Sequence, residues 1–327
     1  MQIREDLYKK GTLTSWRPPV YCISVGNLRI GGTGKTPVCE WLLKWSMQKG
    51  KNPALLSRGY KGDKKNCPCL VTPDSSASTV GDEALMLARS CPGTSVVVDP
   101  QRSRAGRWIL DKAGSDLLVL DDGFQHISVQ RDLDLVLLTP DDLIHQWNRV
   151  LPSGLWREGE TSLHRASALL LDATNADLEK LQPWIYRRLK PWDKPVFVFS
   201  RRFNSFTRSM DGEVFYKPFF DKYLLVSAVG NPAKLFYNAT EACGKEPVEH
   251  LLYPDHYPYI RTDFEIIKQK ALQKGAEVIL CTNKDGVKLK DCCDHTVLEL
   301  NTEIDFDCSF FTELDFENWL MGNGNKK

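Results

Sequence analysis

The sequence predicts an α/β fold in which a parallel sheet covered by helices on both faces is followed by a second, smaller α/β domain. Three observations carry this prediction. Six short strand-like runs recur up to Leu171, most of them continuously apolar as strands buried on both faces are. Between them lie helix-length segments with apolar residues three and four apart. After about Pro195 the texture changes to an irregular, aromatic stretch and then to a second strand–helix–strand pattern.

The strand runs are expected at 20–25, 54–56, 95–98, 117–120, 133–138 and 168–171, with helices such as 38–47 and 83–88 between them. Strands and helices in that alternation wind a sheet whose ligands bind beyond the carboxyl ends of the strands. A further strand is expected at 196–199, then irregular chain over 203–220, then strands near 223–229 and 277–281. The division falls between 1–194 and 195–327, with a closing helix over 312–320 and a frayed tail from 322.

Composition narrows the class of protein. Of 327 residues, 42% are hydrophobic and 26% charged, as in a globular chain. Lys and Arg number 43 against 42 Asp and Glu, so no global basic field points to nucleic acid. No apolar run approaches the roughly 18–20 residues that span a membrane. The opening Met1-Gln-Ile-Arg-Glu-Asp carries both signs of charge and no apolar signal core. Ten cysteines are too sparse for a disulfide scaffold, and Cys67-Pro-Cys69 and Cys292-Cys293 lack the spacing of zinc or redox pairs. Reduced thiols in the cytoplasm are the expectation.

The most informative segment is Val25-Gly-Asn-Leu-Arg-Ile-Gly-Gly-Thr-Gly-Lys-Thr36, which leaves the first strand and enters the first helix. That is the context of a phosphate-binding loop. Gly31, Gly32, Thr33 and Gly34 would turn backbone N–H groups around phosphate oxygens. Lys35 would reach the β- and γ-phosphates, and Thr36 would ligate Mg²⁺ at the helix start. The usual pattern has Gly six residues before the Lys, where this chain has Arg29, so the loop is a variant. Further on, four aliphatic residues deliver Asp121 and Asp122 to a strand end, in Leu117-Leu-Val-Leu-Asp-Asp-Gly123. One or both would organise the metal, which makes Mg-ATP the expected ligand and this a P-loop NTPase-type domain.

Several further motifs stand in one order: Ser57-Arg-Gly-Tyr-Lys61, Val80-Gly-Asp-Glu83, Leu120-Asp-Asp-Gly-Phe-Gln-His126 and Leu151-Pro-Ser-Gly-Leu-Trp-Arg-Glu158. Gly230-Asn-Pro232, Pro254-Asp-His256 and Thr282-Asn-Lys-Asp285 follow them. With the phosphate loop, they resemble the tetraacyldisaccharide 4′-kinases, the lipid A 4′-kinases of Gram-negative bacteria. The resemblance implies phosphoryl transfer from ATP to the 4′-hydroxyl of tetraacyldisaccharide 1-phosphate at the cytoplasmic face of the inner membrane. It also implies two α/β/α domains joined by a two-stranded β linker, with the active site between them.

By that resemblance Asp82 is the catalytic base, paired with His256 from the second domain. Glu83 and Asp122 match acidic residues near the metal, and Arg157 and Glu158 match a substrate-side pair. Arg58 and Tyr60 are assigned to headgroup or nucleotide. Arg102, with Arg104 and Arg107 nearby, would hold the 1-phosphate, since the guanidinium fork matches phosphate oxygens. The family usually opens with an extra membrane-docking helix of roughly two dozen residues. This chain opens near the end of that segment, which leaves either a truncated start or membrane contact through Lys9, Lys10 and Trp16. The partners expected are therefore ATP, the lipid A precursor and a peripheral membrane surface, with no obligate protein partner. The alternative is a P-loop switch ATPase of the partitioning or metallochaperone type, although Ile30 stands where such a switch carries a Lys.

Overall fold

A run that is apolar on both faces can satisfy its backbone only by pairing with neighbours under a cover of helices, and the first half folds accordingly. The computed structural model describes residues 2–324 apart from 61, 64, 65, 256, 291 and 292. Helix α1 (Gln2–Lys9) precedes strand β1 (Tyr21–Asn27), α2 (Lys35–Gln48), β2 (Pro53–Ser57) and β3 (Cys69–Val71). Then come α3 (Ala77–Val80), α4 (Asp82–Ser90), β4 (Ser95–Val98), α5 (Arg102–Ala113) and β5 (Leu117–Asp121). The half ends with β6 (Leu133–Leu138), α6 (Pro140–Ile144), β7 (Ala168–Asp172) and α7 (Asn175–Arg188).

The second half begins with the long β8 (Val196–Arg208), followed by β9 (Val214–Phe215), β10 (Tyr223–Ser227), α8 (Pro232–Cys243) and β11 (Glu249–Leu252). Helix α9 (Arg261–Lys274), β12 (Val278–Thr282), α10 (Asn283–Leu289), β13 (Val297–Phe310) and α11 (Phe316–Gly324) complete it. The strands form one sheet in the order β11-β10-β12-β13-β8-β7-β6-β1-β5-β2-β4-β3, with β9 on β8. Pairing is parallel except β3 with β4, β8 with β13 and β9 with β8.

Two antiparallel strands carry the sheet from one half to the other. Strand β8 pairs with β7 through Val196–Phe199 and with β13 along its length, from Val196 opposite Phe310 to Arg208 opposite Leu298. The expectation of irregular chain from 203 is therefore corrected: β8 continues to Arg208. Its sequence loses the apolar signature because beyond Ser200 the strand leaves the doubly covered core, and Arg202 and Asn204 face outward. The edge strand β3 is also absent from the expectation, being three residues long with Leu70 exposed.

Helices cover both faces in each half. On one side of the first half, Val38, Leu42, Leu87 and Phe199 share a core with Phe316 and Leu320 of α11. On the other side Trp156, Leu138, Ile185 and Val198 form a second core, and Ile109 and Leu118 a third. Phe316 stacks 4.1 Å from Phe306 and 5.0 Å from Phe197, centroid to centroid, so the last helix packs on the first half. Burying a side chain of this size is worth about 1.5–3 kcal/mol. Helix α11 extends to Gly324, further than the expected close at 320, and the remaining tail lies outside the described residues. In the second half, α8 and α9 cover opposite faces of β10 and β12.

Candidate active site

Strands β1 and β5 lie side by side at the centre of the first half and release their loops at the same edge. The two loops touch at Gly26: a Cβ there would sit 2.5 Å from that of Phe124, which only glycine avoids. Gly31 and Gly34 have φ of 101° and 87°, the left-handed region open to glycine. Gly31 and Gly32 face open space, as a cradle for an anion requires, and Gly34 caps α2. Thr33 is buried and accepts a hydrogen bond from the Asn27 side-chain amide at 2.7 Å, which pins the turn. Arg29 occupies the place usually held by Gly without positive φ. Its guanidinium reaches Thr139 at 3.0 Å and Asp141 at 3.1 Å, anchoring the front of the loop to the end of β6.

Lys35, the first residue of α2, sends its ammonium to 3.6 Å from the Asp122 carboxylate. Arg157 grips the same carboxylate with both ends of its fork, at 2.9 and 3.1 Å. Burial alone would raise the Asp122 pKa, but Lys35 and Arg157 outweigh it and hold the group below the ordinary carboxylate range. Asp121, one residue earlier, is in the opposite condition. Burial first, then the charges of Glu83 and Asp122, push it up to about 6, although Ser57 donates to it at 3.0 Å. The site thus contains one neutralised carboxylate and one beside excess negative charge.

Asp82 and Glu83 open α4 after Gly81, whose φ of 88° turns the chain into the helix. The Lys288 ammonium, from α10 in the second half, lies 3.8 Å from Asp82. His256, the expected partner of Asp82, lies outside the described residues. Arg58 and Tyr60 stand exposed in the loop after β2. Arg102, expected to hold the 1-phosphate, is wholly buried, and its guanidinium donates to the backbone carbonyl of Asp121 at 3.2 Å. Burial, and next the charge of Arg58, lower its pKa to about 10. Of the arginines grouped with it, Arg104 is held by Asp99 at 2.6 Å and Arg107 lies over the Trp16 ring. Trp16 itself is partly buried and packs against the α5 backbone at Gly106. The side chain of Lys9 lies outside the described residues, and Lys10 is exposed.

Adjacent residues part company at Arg157 and Glu158. Arg157 faces the site, whereas Glu158 is buried and bonded at 2.8 Å to Arg165, which also binds Glu5 of α1. Sequence reasoning passed over Asn27 and Gln125, which complete the grip on Arg157 at 3.2 and 3.0 Å. Both stood inside quoted motifs, which was the available signal. It also passed over Arg201 and Lys234, which meet on Asp172 at 3.2 and 2.7 Å, with Arg201 against Gly34. A cleft of about 390 Å³ separates α2 from the second half, between Trp41 and Trp45 on one wall and Asn204 and Asn301 on the other. Among the described residues no cluster of three or more His, Cys, Asp or Glu forms a metal cage.

The likeness to known proteins runs along nearly the whole chain. Tetraacyldisaccharide 4′-kinase of Nitratidesulfovibrio vulgaris is 40% identical over 98% of this chain and 89% of its own length. That of Oleidesulfovibrio alaskensis is 42% identical over 94% of this chain and 84% of its own. The crystal structure of LpxK from Aquifex aeolicus in complex with ATP superposes with a TM-score of 0.76 at 31% identity, covering 98% of this chain and 93% of that one. The model of the family described as tetraacyldisaccharide-1-P 4′-kinase matches residues 1–321, a span that includes the glycine cradle, the Asp121–Asp122 pair and both crossing strands. The chain therefore belongs to the tetraacyldisaccharide-1-P 4′-kinase family.

Proposed function

We propose that this chain passes the γ-phosphoryl group of ATP to the 4′-hydroxyl of tetraacyldisaccharide 1-phosphate, giving the 1,4′-bisphosphate. The single observation that carries the site assignment is the convergence of Lys35, Asp121, Asp122 and Arg157 on the open glycine cradle. In the reaction the bond from Pγ to the β–γ bridging oxygen breaks, a bond from Pγ to the 4′ oxygen forms, and ADP leaves. Asp82 receives the hydroxyl proton, in the role the family resemblance gives it together with His256. The N–H groups of the cradle hold the phosphates in place, and Lys35 answers the charge gathering on the transferred group.

The residues present fit a magnesium ion. Asp121 is buried with excess negative charge around it, and Thr36 lies at the start of the adjoining helix. Mg²⁺ commonly takes one or two carboxylates and completes its shell with phosphate oxygens and water. When bound, it would supply positive charge against the phosphate groups. Asp122 is already engaged by Arg157 and Lys35, so Asp121 and Thr36 are the direct ligands in this reading, with Asp122 and Glu83 around them.

Residues 1–194 act as the nucleotide-binding kinase domain and 195–327 as the smaller domain that closes on it. Arg58, Tyr60 and Arg157 face the substrate side. Arg102 supports the Asp121 loop from beneath and contributes positive potential for the 1-phosphate. Contact with the cytoplasmic face of the inner membrane is peripheral; no described helix is long and apolar enough to cross a membrane. Family membership favours the kinase over a partner-driven switch ATPase. The test is incubation with Mg-ATP and tetraacyldisaccharide 1-phosphate in detergent, followed by the mass of the lipid. A lipid gaining one phosphate is expected; free phosphate with an unchanged lipid would overturn the reading.

A further inference from the structure

Lys288 is out of place for a lysine. Its side chain is only 6% exposed, and among the described residues its buried ammonium has no hydrogen-bond partner. A buried ammonium is costly unless opposite charge compensates it. Two carboxylates do so, from different parts of the chain. Asp285, on the same helix, lies 3.4 Å away, and Asp82, at the head of α4 in the first half, lies 3.8 Å away. The ring of Tyr259 closes a third side at 5.4 Å.

Asp285 is itself immobile. It is fully buried in the first turn of α10, accepts from the Ala228 N–H at 3.2 Å and from the Thr282 hydroxyl at 2.7 Å, and donates its own N–H to the Thr282 side chain that caps the helix. Helix α10 packs directly on α4. The second half therefore holds a fixed cation against the first turn of α4, where Asp82 stands. A fixed ammonium 3.8 Å from that carboxylate favours the rotamers directed towards it.

We propose that Lys288 is a positioning residue for the phosphoryl-transfer step: anchored by Asp285, it orients the Asp82 carboxylate across the join between the two halves. The proposal rests on the reading of Asp82 as the proton acceptor. A base misplaced by about 1 Å costs on the order of 10²-fold in rate, so the effect falls on turnover while both substrates remain bound elsewhere.

The experiment uses the full chain with Mg-ATP and tetraacyldisaccharide 1-phosphate in detergent micelles. Lys288→Gln is expected to lower kcat by about 10- to 100-fold with KM for both substrates within about twofold. Lys288→Arg, which keeps the charge, is expected to restore most of kcat. In an Asp82→Asn background, Lys288→Gln is expected to add almost nothing, because its effect passes through Asp82. Wild-type kcat in Lys288→Gln, or losses that multiply in the double variant, would overturn the proposal. If Lys288→Gln fails to fold, Lys288→Arg decides: kcat restored supports a charge held at Asp82, whereas a folded Arg variant as slow as Asp82→Asn overturns it. Full activity in Asp82→Asn alone would instead strike the assignment of the base, which separates that failure from failure of Lys288.

Discussion

At the end of β5 the chain sets Asp121 and Asp122, and just beyond the end of β12 it sets Asp285, three residues after Thr282. As sequence the two segments are alike, an aliphatic strand running into acidic residues. As structure they are opposites. Asp285 spends its oxygens on the Ala228 N–H, the Thr282 hydroxyl and Lys288, so its charge is consumed in holding the second half together. Asp121 has Ser57 as a hydrogen-bond donor but lies within the field of Glu83 and Asp122, and its pKa is raised to about 6. A carboxylate that the fold satisfies is a structural element. One that the fold leaves short of positive charge, beside an open glycine cradle, is suited to receive a cation and its phosphates.

The largest expected effect lies at the cradle. Lys35→Ala is expected to reduce kcat by about 10³-fold, since its ammonium is directed at the transferring phosphoryl group; steady-state kinetics with Mg-ATP would show it. Near-normal activity would mean that the acidic strand end beside Lys35 is as purely structural as the one at Asp285. Next come Asp82 and His256, each expected to lower kcat by about 10²-fold when changed to Ala. The double variant is expected to lose little more than the worse single one, because the two act as a unit. Multiplied losses would place His256 in an independent role.

Arg157→Lys sharpens the contrast within the first half. The fork that binds both oxygens of Asp122 cannot be reproduced by an ammonium, so a loss of about tenfold in kcat/KM is expected with little change in Tm. The smallest effect concerns His126, whose pKa is lowered to about 4 by burial and then by Arg102 and Arg58. The unfolded chain takes up this proton near pH 6.5 and the folded one only near 4, so stability falls as pH is lowered through that window. His126→Gln is expected to flatten that part of a Tm-against-pH curve; an unchanged slope would show the ring to be solvated.

The first half was legible because its chemistry is local. The cradle is a contiguous motif, and apolar runs with both faces buried leave few alternatives to a parallel sheet. Arg157 was reached by resemblance, but its grip on Asp122, 35 positions earlier, required the intervening chain to fold back. The inward turn of Arg102 was illegible because nothing local says which of three arginines on one helix lies beneath Asp121. Lys288 and Arg201 were illegible for a related reason. Each gains its meaning from a partner far along the chain, Asp82 or Gly34, brought near by the crossing strands β8 and β13.

The contrast between the two acidic strand ends is tested most directly by titrating Mg-ATP calorimetrically into Asp121→Asn and Asp285→Asn, with Tm recorded for both. For Asp121→Asn we expect Mg-ATP affinity to fall by about 10- to 100-fold while Tm holds or rises, because a buried charge among like charges has been removed. For Asp285→Asn we expect wild-type affinity for Mg-ATP and a Tm lower by several degrees, as its buried hydrogen-bond donors lose a charged acceptor. Unchanged Mg-ATP affinity in Asp121→Asn, with the loss appearing in Asp285→Asn instead, would contradict the account.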